Sequence, residues 1–303
     1  MKDHIAVCIC TFKRNEMLER LLRKLKCQET EGVIDFSVVV VDNDYEGQAG
    51  ERAARLRDEL GLDITYAIER EQTIPAARNH ALRLAKGNYI AIIDDDEFPP
   101  SRWLITLYKA LQTFDVDGAL GPVFPWFERM PPRWLIKGKI CERPVYRTGT
   151  MLEWNQTRTG NVLLNKKVFD EHNLMFDLKW RTSGSDRAFF RRAMALGYRF
   201  VFVKEAPVYE IVPPERWAKK YYVKRALVHG VNSYRSITEG RGVFHRLLLF
   251  LRSLLATMVY SACLPFCYLL GTHTAVKCLE RGAHHLSFLL AMLGIELIKK
   301  RDF

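Results

Sequence analysis

The 303-residue sequence lacks the glycine-rich loops with which many α/β proteins hold phosphates. No stretch matches G-x-x-x-x-G-K followed by Ser or Thr. The nearest approach to G-x-G-x-x-G is Gly240-x-Gly242, where His245 stands in place of the third glycine and no predicted strand precedes. These absences exclude nucleotide binding by either fingerprint. The sequence also contains no internal repeat and no low-complexity linker.

Features of secreted proteins are also missing. The seven cysteines are scattered and odd in number, which argues against a disulfide framework, so we expect reduced thiols in a cytoplasmic protein. The apolar run at the N-terminus is too short for a signal peptide. Cys8 and Cys10 fall inside a predicted strand, and we interpret them as strand residues rather than metal ligands.

Charge is unevenly distributed along the chain. The net charge is +11, of which residues 213–303 carry +9 and residues 1–212 carry +2. The basic excess therefore belongs to the C-terminal part. Nucleic acid and an anionic membrane are the two classes of partner that such a surface attracts.

The first hundred residues alternate between strand and helix patterns. Strands are predicted at "IAVCI", "FSVVVV", "ITYAIE" and "NYIAII", and helices at "RNEMLERLLRKLK", "AGERAARLRDEL" and "IPAARNHALRLA". Valine-rich strands separated by helices of this length are typical of a largely parallel, doubly wound α/β sheet.

Polar residues follow three of these strands where each one ends. Thr11 follows the first strand, Asp42 the second, and the run Asp94-Asp95-Asp96-Glu97 the fourth. Open α/β sheets bind ligands beyond the carboxyl ends of their strands, so we predict a binding crevice there. In an extended chain Asp94 and Asp96 point the same way and can face a divalent ion, Mg²⁺ or Mn²⁺. The alternative is a solvated acidic turn.

Three further residues can each be interpreted in two ways, as a functional residue or as a structural one. Arg78, on the helix before the acidic strand, can bind phosphate or form a surface ion pair. Asp42 can bind a nucleobase or ribose, or serve as a turn residue. Asp186, in "SGSD" before a helix, can act as a general base or cap the helix.

Together these segments resemble glycosyltransferase family 2, whose members have the GT-A fold. The resemblance runs from about residue 5 to 216. Its segments are "VCICTFKRNEMLERLL", "VVVVDND", "IPAARNHALRLAKGNYIAIIDDDEFP", "TGNVLLNKK" and "SGSDRAFFRRAMALGY". It implies a GT-A domain over residues 1–242, followed by C-terminal apolar helices over residues 243–303.

The resemblance also implies roles for individual residues. Asp186 corresponds to the catalytic base of inverting members. Asp94 and Asp96 correspond to the acids of a DxD metal site, and Glu210 stands where many members have a metal-binding histidine. The residues expected to bind the nucleotide-sugar are Thr11, Arg14, Asp42, Arg78, Asp95, Gly160 and Asn161.

The implied activity is that of a metal-dependent, inverting hexosyltransferase. It would move a sugar, with uridine diphosphate as the expected carrier, to a polyprenyl-diphosphate-linked saccharide in bacterial surface polysaccharide synthesis. One alternative is a nucleotidyltransferase, although "CTFKRNE" offers no glycine-rich phosphate loop. The other is a basic protein that binds nucleic acid or a membrane surface, but it leaves the acidic strand ends unexplained, and we expect no nucleic-acid partner.

The C-terminal part predicts contact with the cytoplasmic face of the plasma membrane. Residues 253–270 carry no charge and just reach the length of a spanning helix. Basic residues on both sides, together with Pro265, favour a re-entrant or interfacial segment over a single span. Alternatively, these helices pack on the catalytic domain or at the interface of a homo-oligomer.

Overall fold

The computed structural model describes residues 2–181, 184–238, 242–295 and 297. The chain forms two compact units, which differ from the predicted division at residue 242. One comprises Met1–Trp126 and Arg143–Ile211, and the other Phe127–Glu142 and Val212–Phe303. Which part of the chain is catalytic and which associates with a membrane stays a prediction.

Among the described residues the strands all belong to the first unit, and most of the helices of the second unit lie after residue 212. In chain order the strands are β1 (Asp3–Thr11), β2 (Ile34–Asp42), β3 (Ile64–Ile68), β4 (Tyr89–Ile92), β5 (Glu97–Phe98), β6 (Gly118–Leu120), β7 (Val123–Trp126), β8 (Val162–Asn165), β9 (Phe200–Phe202) and β10 (Val208–Ile211). The α-helices are α1 (Asn15–Lys26), α2 (Gly50–Leu60), α3 (Ile74–Leu84), α4 (Trp103–Phe114), α5 (Arg133–Lys137), α6 (Lys167–Asp170), α7 (Ser185–Ala195), α8 (Lys219–Thr238), α9 (Val243–Leu269) and α10 (Thr272–Met292).

A large sheet with the order β3-β2-β1-β4-β8-β6-β9 forms the centre of the first unit. Strands β1 to β4 are mutually parallel, β8 runs antiparallel to both β4 and β6, and β6 is parallel to β9. The predicted mostly parallel α/β sheet is therefore confirmed. A separate small sheet has the order β5-β10-β7, and its strand β5 begins with Glu97, the last residue of the acidic run.

Burial on both faces explains why valine and isoleucine fill the central strands. Ile5, Val7 and Val38 lie in the core on one face of the sheet, and Ala6 and Val41 lie on the other. The leucines of α1 form the apolar stripe that their spacing predicts; they are Leu18, Leu21, Leu22 and Leu25, each with 0% of its surface exposed. The loops at the strand ends are thus carried by a rigid scaffold.

The second unit is helical. Leu135, Ile140, Tyr222 and Val276 pack together as its small buried cluster. Helix α10 lies against both α8 and α9, and it begins well before the apolar segment predicted at residues 283–303. The basic residues Lys299, Lys300 and Arg301 lie outside the described residues.

Helix α9 stands apart in its exposure. It extends over Val243–Leu269, and an 18-residue window of it has a mean hydropathy of 1.9 with only 6% of the window buried. In the described part of the chain it is the one helix long and apolar enough to cross a membrane, by length and composition alone.

Candidate active site

The carboxyl ends of β1, β2 and β4 lie side by side at one edge of the large sheet. In the parallel register Thr11 lies opposite Asp42, and Cys8 lies opposite Ile92. The acidic run that follows β4 therefore begins beside the end of β1. This edge is the position at which open α/β sheets bind ligands.

Thr11 and Arg14 bind the middle of the acidic run. The Thr11 hydroxyl donates to Asp95 Oδ2 at 2.9 Å. Arg14 Nη1 donates to Asp95 Oδ1 at 2.9 Å and to Asp96 Oδ2 at 3.0 Å. Burial raises the pKa of Asp95 to about 6, although Arg14 acts in the opposite direction. Arg14 is thus a counter-charge that lets adjacent carboxylates lie together.

The Asp42 side chain forms its hydrogen bonds with other groups of the protein. It accepts hydrogen bonds from the backbone N–H of Asp44 at 3.0 Å, the N–H of Ala49 at 3.1 Å and the Tyr66 hydroxyl at 3.0 Å. Asp42 is 1% exposed. These bonds tie the end of β2 to the start of α2 and to β3. Its predicted contact with the nucleotide stays a prediction.

Arg78 joins the acidic run to the start of α7. Its guanidinium donates to Asp186 Oδ1 at 2.6 Å and lies 3.4 Å from Asp94 Oδ1. The Asp186 carboxylate also accepts from the Thr159 N–H at 3.3 Å and from the Ser185 hydroxyl at 3.2 Å. Asp186 is therefore directed at Arg78 and Thr159, which favours the site interpretation over a simple helix cap.

The surroundings of Asp186 keep it ionised. Burial raises its pKa, but Arg78 and the hydrogen bonds from Thr159 outweigh burial, and the net pKa lies below the ordinary value. The side chain remains 29% exposed to solvent. An ionised carboxylate that solvent can still reach is able to accept a proton from a bound hydroxyl group.

Asp94 and Glu97 form a second acidic group beside Gly160. The Asp94 N–H donates to Glu97 Oε2 at 3.3 Å, whereas the buried Glu97 Oε1 has no hydrogen-bond partner. A Cβ atom at Gly160 would lie 2.7 Å from that Oε1 and 3.1 Å from Asp94 Oδ2. Burial, and then repulsion by Asp94, raises the pKa of Glu97 well above its ordinary value. Gly160 therefore leaves room for the acids, and a side chain there would not.

Basic residues surround the far side of this acidic group. Glu210 lies opposite Glu97 in the β5–β10 register and is paired with Arg143. Burial, and then repulsion by Arg143, lowers the pKa of Arg158 to about 10. The sequence patterns did not single out Glu97, Arg143 or Arg158 as site residues. Glu97 had a signal as the fourth acid of the run, whereas the two arginines lie in irregular segments without a motif.

The donor atoms fit a hard divalent cation. Glu97 Oε1 is buried and unpaired, and Asp94 next to it also has a raised pKa because of burial. Oxygen ligands of this kind suit Mg²⁺ or Mn²⁺. Within the described residues, however, no three His, Cys, Asp or Glu side chains group as a complete metal site. The protein would therefore supply part of the coordination shell, as Mg²⁺ sites that include substrate phosphates do.

Two of the predicted metal ligands are engaged by arginine. Asp96 accepts from Arg14, and Glu210 is paired with Arg143. A ligand role for Asp96 or Glu210 stays a prediction, and it requires those arginines to turn away.

Asn161 lies directly after Gly160 but turns into the core. Its Oδ1 accepts from Trp103 Nε1 at 2.7 Å, and its Nδ2 donates at 2.8 Å to the carbonyl oxygens of Pro122 and Ala206. The residue is 0% exposed and has a φ of 60°. Asn161 therefore fixes the loop that carries Gly160, and its contact with a donor sugar stays a prediction.

Comparison with known proteins gives two kinds of match in sequence. The family model for glycosyl transferase family 2 matches residues 6–193. Succinoglycan biosynthesis protein ExoM of Rhizobium meliloti (strain 1021) is 31% identical over 241 residues, which are 78% of this chain and 76% of that protein. Chondroitin synthase of Escherichia coli is 28% identical over 120 residues, 40% of this chain but only 17% of that protein.

The fold also matches solved structures. A crystal structure of S. aureus TarS 1-349 in complex with UDP has a TM-score of 0.56 and 15% identity, and covers 100% of this chain and 95% of that one. The same TarS segment in complex with UDP-GlcNAc has a TM-score of 0.56 and 14% identity, and covers 97% of this chain and 92% of that one. At this identity the likeness concerns the fold.

Proposed function

The chain belongs to glycosyltransferase family 2, and we propose that it moves a sugar from a uridine-diphosphate-linked donor to a saccharide acceptor, with inversion at the anomeric carbon. Family membership removes the nucleotidyltransferase alternative. The observation that carries the proposal is the ionised Asp186, bound to Arg78 at the same sheet edge as the acidic run.

In the proposed reaction Asp186 accepts the proton of an acceptor hydroxyl. The oxygen then forms a bond to the anomeric carbon as the bond from that carbon to the diphosphate breaks. The nucleoside diphosphate leaves with the electron pair. Arg78 holds the carboxylate in place through the 2.6 Å bond and keeps it ionised.

The negative charge that develops on the leaving diphosphate needs stabilisation. Arg14, Arg143 and Arg158 supply positive charge around the acidic run, and each is hydrogen-bonded to or electrostatically coupled with its carboxylates. Asp94 and Glu97 have the donor atoms to hold Mg²⁺ or Mn²⁺, which when bound would act as a Lewis acid on the diphosphate. Fixed charges directed at a developing charge are an efficient source of catalysis.

Relatives support the class of pathway and carrier. ExoM is named for succinoglycan biosynthesis, and a chondroitin synthase and a hyaluronan synthase match shorter parts of the chain. TarS has been crystallised with UDP and with UDP-GlcNAc. A role in bacterial surface polysaccharide synthesis with a UDP-sugar donor agrees with these names.

The second unit supports a site of action at the cytoplasmic face of the membrane. Helix α9 exposes most of its apolar side chains, and the chain carries +9 of its charge after residue 212. A lipid-linked saccharide acceptor would be presented at such a surface. Homo-oligomer formation remains the alternative use of α9.

Asp186→Asn tests the proposed base. The amide cannot take up a proton but keeps the shape of the side chain, so transfer should fall about 10²–10⁴-fold while binding of UDP changes little. Nucleoside diphosphate release in the presence of Mn²⁺ measures the rate, and calorimetry with UDP measures binding.

Asp170→Asn on α6 is the matched control, because Asp170 is an exposed aspartate of the same unit. It should leave both quantities unchanged. An Asp186→Asn enzyme that kept wild-type turnover would rule out the base assignment. Wild-type turnover that persists in excess chelator would rule out the metal requirement.

A further inference from the structure

The second unit contains a cavity between α8 and α10 that the proposed reaction does not use. Its volume is about 360 Å³, and Ala226 and His229 of α8 face residues of α10 across it. Directly after His229 the two helices come close together at Gly230, where a Cβ atom would clash with the His284 carbonyl oxygen. Ser287 Oγ donates to the Leu227 carbonyl oxygen at 2.6 Å in the same region. The cavity is thus bounded by a close helix crossing.

Helix α10 presents two cations to this cavity. Lys277 and Arg281 both line it, and they lie one helical turn apart on the same face. Neither forms an ion pair with a carboxylate in the described parts of the chain. Both side chains are exposed, so they can turn towards a ligand without first breaking a salt bridge.

The acid in the described lining is already neutralised. Glu280 accepts from Arg225 Nη2 at 2.7 Å, and the Arg225 guanidinium lies 5.0 Å from the centre of the Tyr222 ring. Because the charge of Glu280 is already balanced by Arg225, Glu280 does not cancel the charge of Lys277 and Arg281. The cavity therefore keeps a net positive charge and attracts an anion.

Imidazole groups complete the lining. His229, His284 and His285 contribute ring nitrogens, and His285 Nδ1 lies 3.4 Å from Ser253 Oγ of α9. Ring N–H groups and two flexible cations are suited to the several acceptor oxygens of a phosphate group.

The cavity lies alongside the apolar helix. Helix α9 packs on α10 at the level of the cavity, since Tyr260 stacks on His285 with ring centres 6.1 Å apart and Cys278 Sγ donates to the Tyr260 carbonyl oxygen. In the same stretch of α9, Leu255 and Val259 are 59% and 48% exposed. A cationic cavity beside an exposed apolar helix matches a molecule that has a phosphate at one end and hydrocarbon at the other.

We propose that the cavity between α8 and α10 binds the phosphate of a lipid headgroup, with Lys277 and Arg281 as its charged contacts and α9 against the lipid chains. The inference rests on the membrane association proposed above and adds to it the group that is recognised. Free phosphate or diphosphate has the same anionic chemistry but lacks the chains that α9 would contact.

Flotation of the full-length protein with vesicles tests this site. One set of vesicles contains phosphatidylcholine with phosphatidic acid, and the other contains phosphatidylcholine with phosphatidylserine at equal net charge. Wild type should prefer the phosphatidic acid vesicles, because their phosphate is terminal and unshielded. Lys277→Gln/Arg281→Gln should weaken that binding about tenfold or more.

Two further variants separate the site from general charge and from folding. Lys219→Gln/Lys220→Gln removes the same charge from exposed lysines at the start of α8, outside the lining, and should keep the preference. Ala226→Leu fills the cavity without a change in charge and should lose it. Circular dichroism melts show whether each variant is folded.

Three results would overturn the proposal. Equal wild-type binding to both vesicle sets contradicts the phosphate site. Equal losses in the two double variants reduce the effect to general charge. Calorimetric binding of inorganic diphosphate that Lys277→Gln/Arg281→Gln abolishes, while the same variant keeps the vesicle preference, identifies a free-anion site. Failure to float with any vesicle instead contradicts membrane association itself, and because no donor is present, none of these results depends on glycosyl transfer.

Discussion

At the scale of single residues, Arg78 decides how Asp186 behaves. The arginine is buried and bound to both Asp186 and Asp94, so the two acids share one cation. Without it the pKa of Asp186 would be higher, because only the hydrogen bonds from Thr159 would oppose the effect of burial. A base that is held ionised accepts protons over a wide pH range but is intrinsically weaker for the same reason.

This arrangement predicts the pH dependence of the Arg78→Gln variant. In the wild type the pKa of Asp186 lies below its ordinary value, so the base stays ionised well into the acid range. In the variant only the hydrogen bonds from Thr159 still oppose burial, so the pKa rises, and activity is lost as pH falls through the new value. We expect kcat/KM of the variant to drop about tenfold or more between about pH 8 and about pH 5, beyond any drop in the wild type.

Arg83→Gln is the control, because Arg83 is an exposed arginine of the same helix. It should show the wild-type profile. If the Arg78→Gln profile has the same shape as the wild type at a lower level, Arg78 binds the donor but does not set the pKa of the base.

The sequence marked the acids at the strand ends, Arg78 and Asp186 as candidate site residues, through their places beside predicted strands and helices and through the family resemblance. It did not identify the unpaired oxygen of Glu97 or the cations Arg143 and Arg158. Their importance depends on contacts with residues far along the chain, such as the register that sets Glu97 opposite Glu210. No local pattern encodes such a register.

At the scale of elements, the strands up to β4 were predictable, and the strands that extend the large sheet beyond β4 were not. Valine and isoleucine runs located β1, β2 and β4, whose bounds agree closely with the predicted segments. The antiparallel β8, inserted between β4 and β6, was not predicted. A four-residue apolar strand has no local signal for its direction, which follows from the path of the whole chain.

Asn161 shows how an irregular loop is fixed to this sheet. It begins the turn into β8 and bonds to Trp103 of α4 and to the carbonyl groups of Pro122 and Ala206. Three segments of the first unit therefore depend on one side chain, and Gly160 beside the acidic group depends on the loop that it holds.

We expect Asn161→Ala to destabilise the protein by about 3 kcal/mol or more, because one buried donor and two buried acceptors lose their partner. Urea denaturation measures the change. Asn173→Ala is the control: Asn173 is exposed and also has a positive φ, 47°, so it reports the backbone strain of alanine alone. Equal losses in the two variants would show that backbone strain, and not the hydrogen bonds, explains the effect.

At the scale of the whole molecule, the second unit bears on how the chain meets a membrane. Residues 253–270 of the sequence carry no charge, but Lys277 and Arg281 of α10 lie beside α9 at the level of Tyr260. If α9 crossed the bilayer with α10 at its side, both cations would lie near the hydrophobic centre, at a cost of roughly 2.5–3.5 kcal/mol each. An orientation in the plane of the interface brings the same cations to the headgroups.

The sequence predicted the apolar segment but not the position of the α10 cations beside it. Hydropathy locates α9, and the flanking charges already favoured an interfacial or re-entrant segment. The pairing of Tyr260 with His285 and Cys278, which sets the depth of the α10 cations, is visible only in the folded unit.

The interfacial orientation predicts the behaviour of Leu255→Glu/Val259→Glu. Both residues are exposed on α9, so the variant should fold normally but lose flotation with all vesicles, since each acid opposes burial in the apolar layer and repels anionic lipid. Leu178→Glu/Leu196→Glu, at exposed leucines of the first unit, is the control and should float like the wild type. Alkaline carbonate extraction of wild-type membranes distinguishes the orientations, because an interfacial helix is released and a spanning one is retained. Retention in carbonate would require α9 to be embedded in the bilayer, spanning or re-entrant, despite the cations beside it. Wild-type flotation by the α9 variant would assign the apolar face of α9 to another chain instead of lipid.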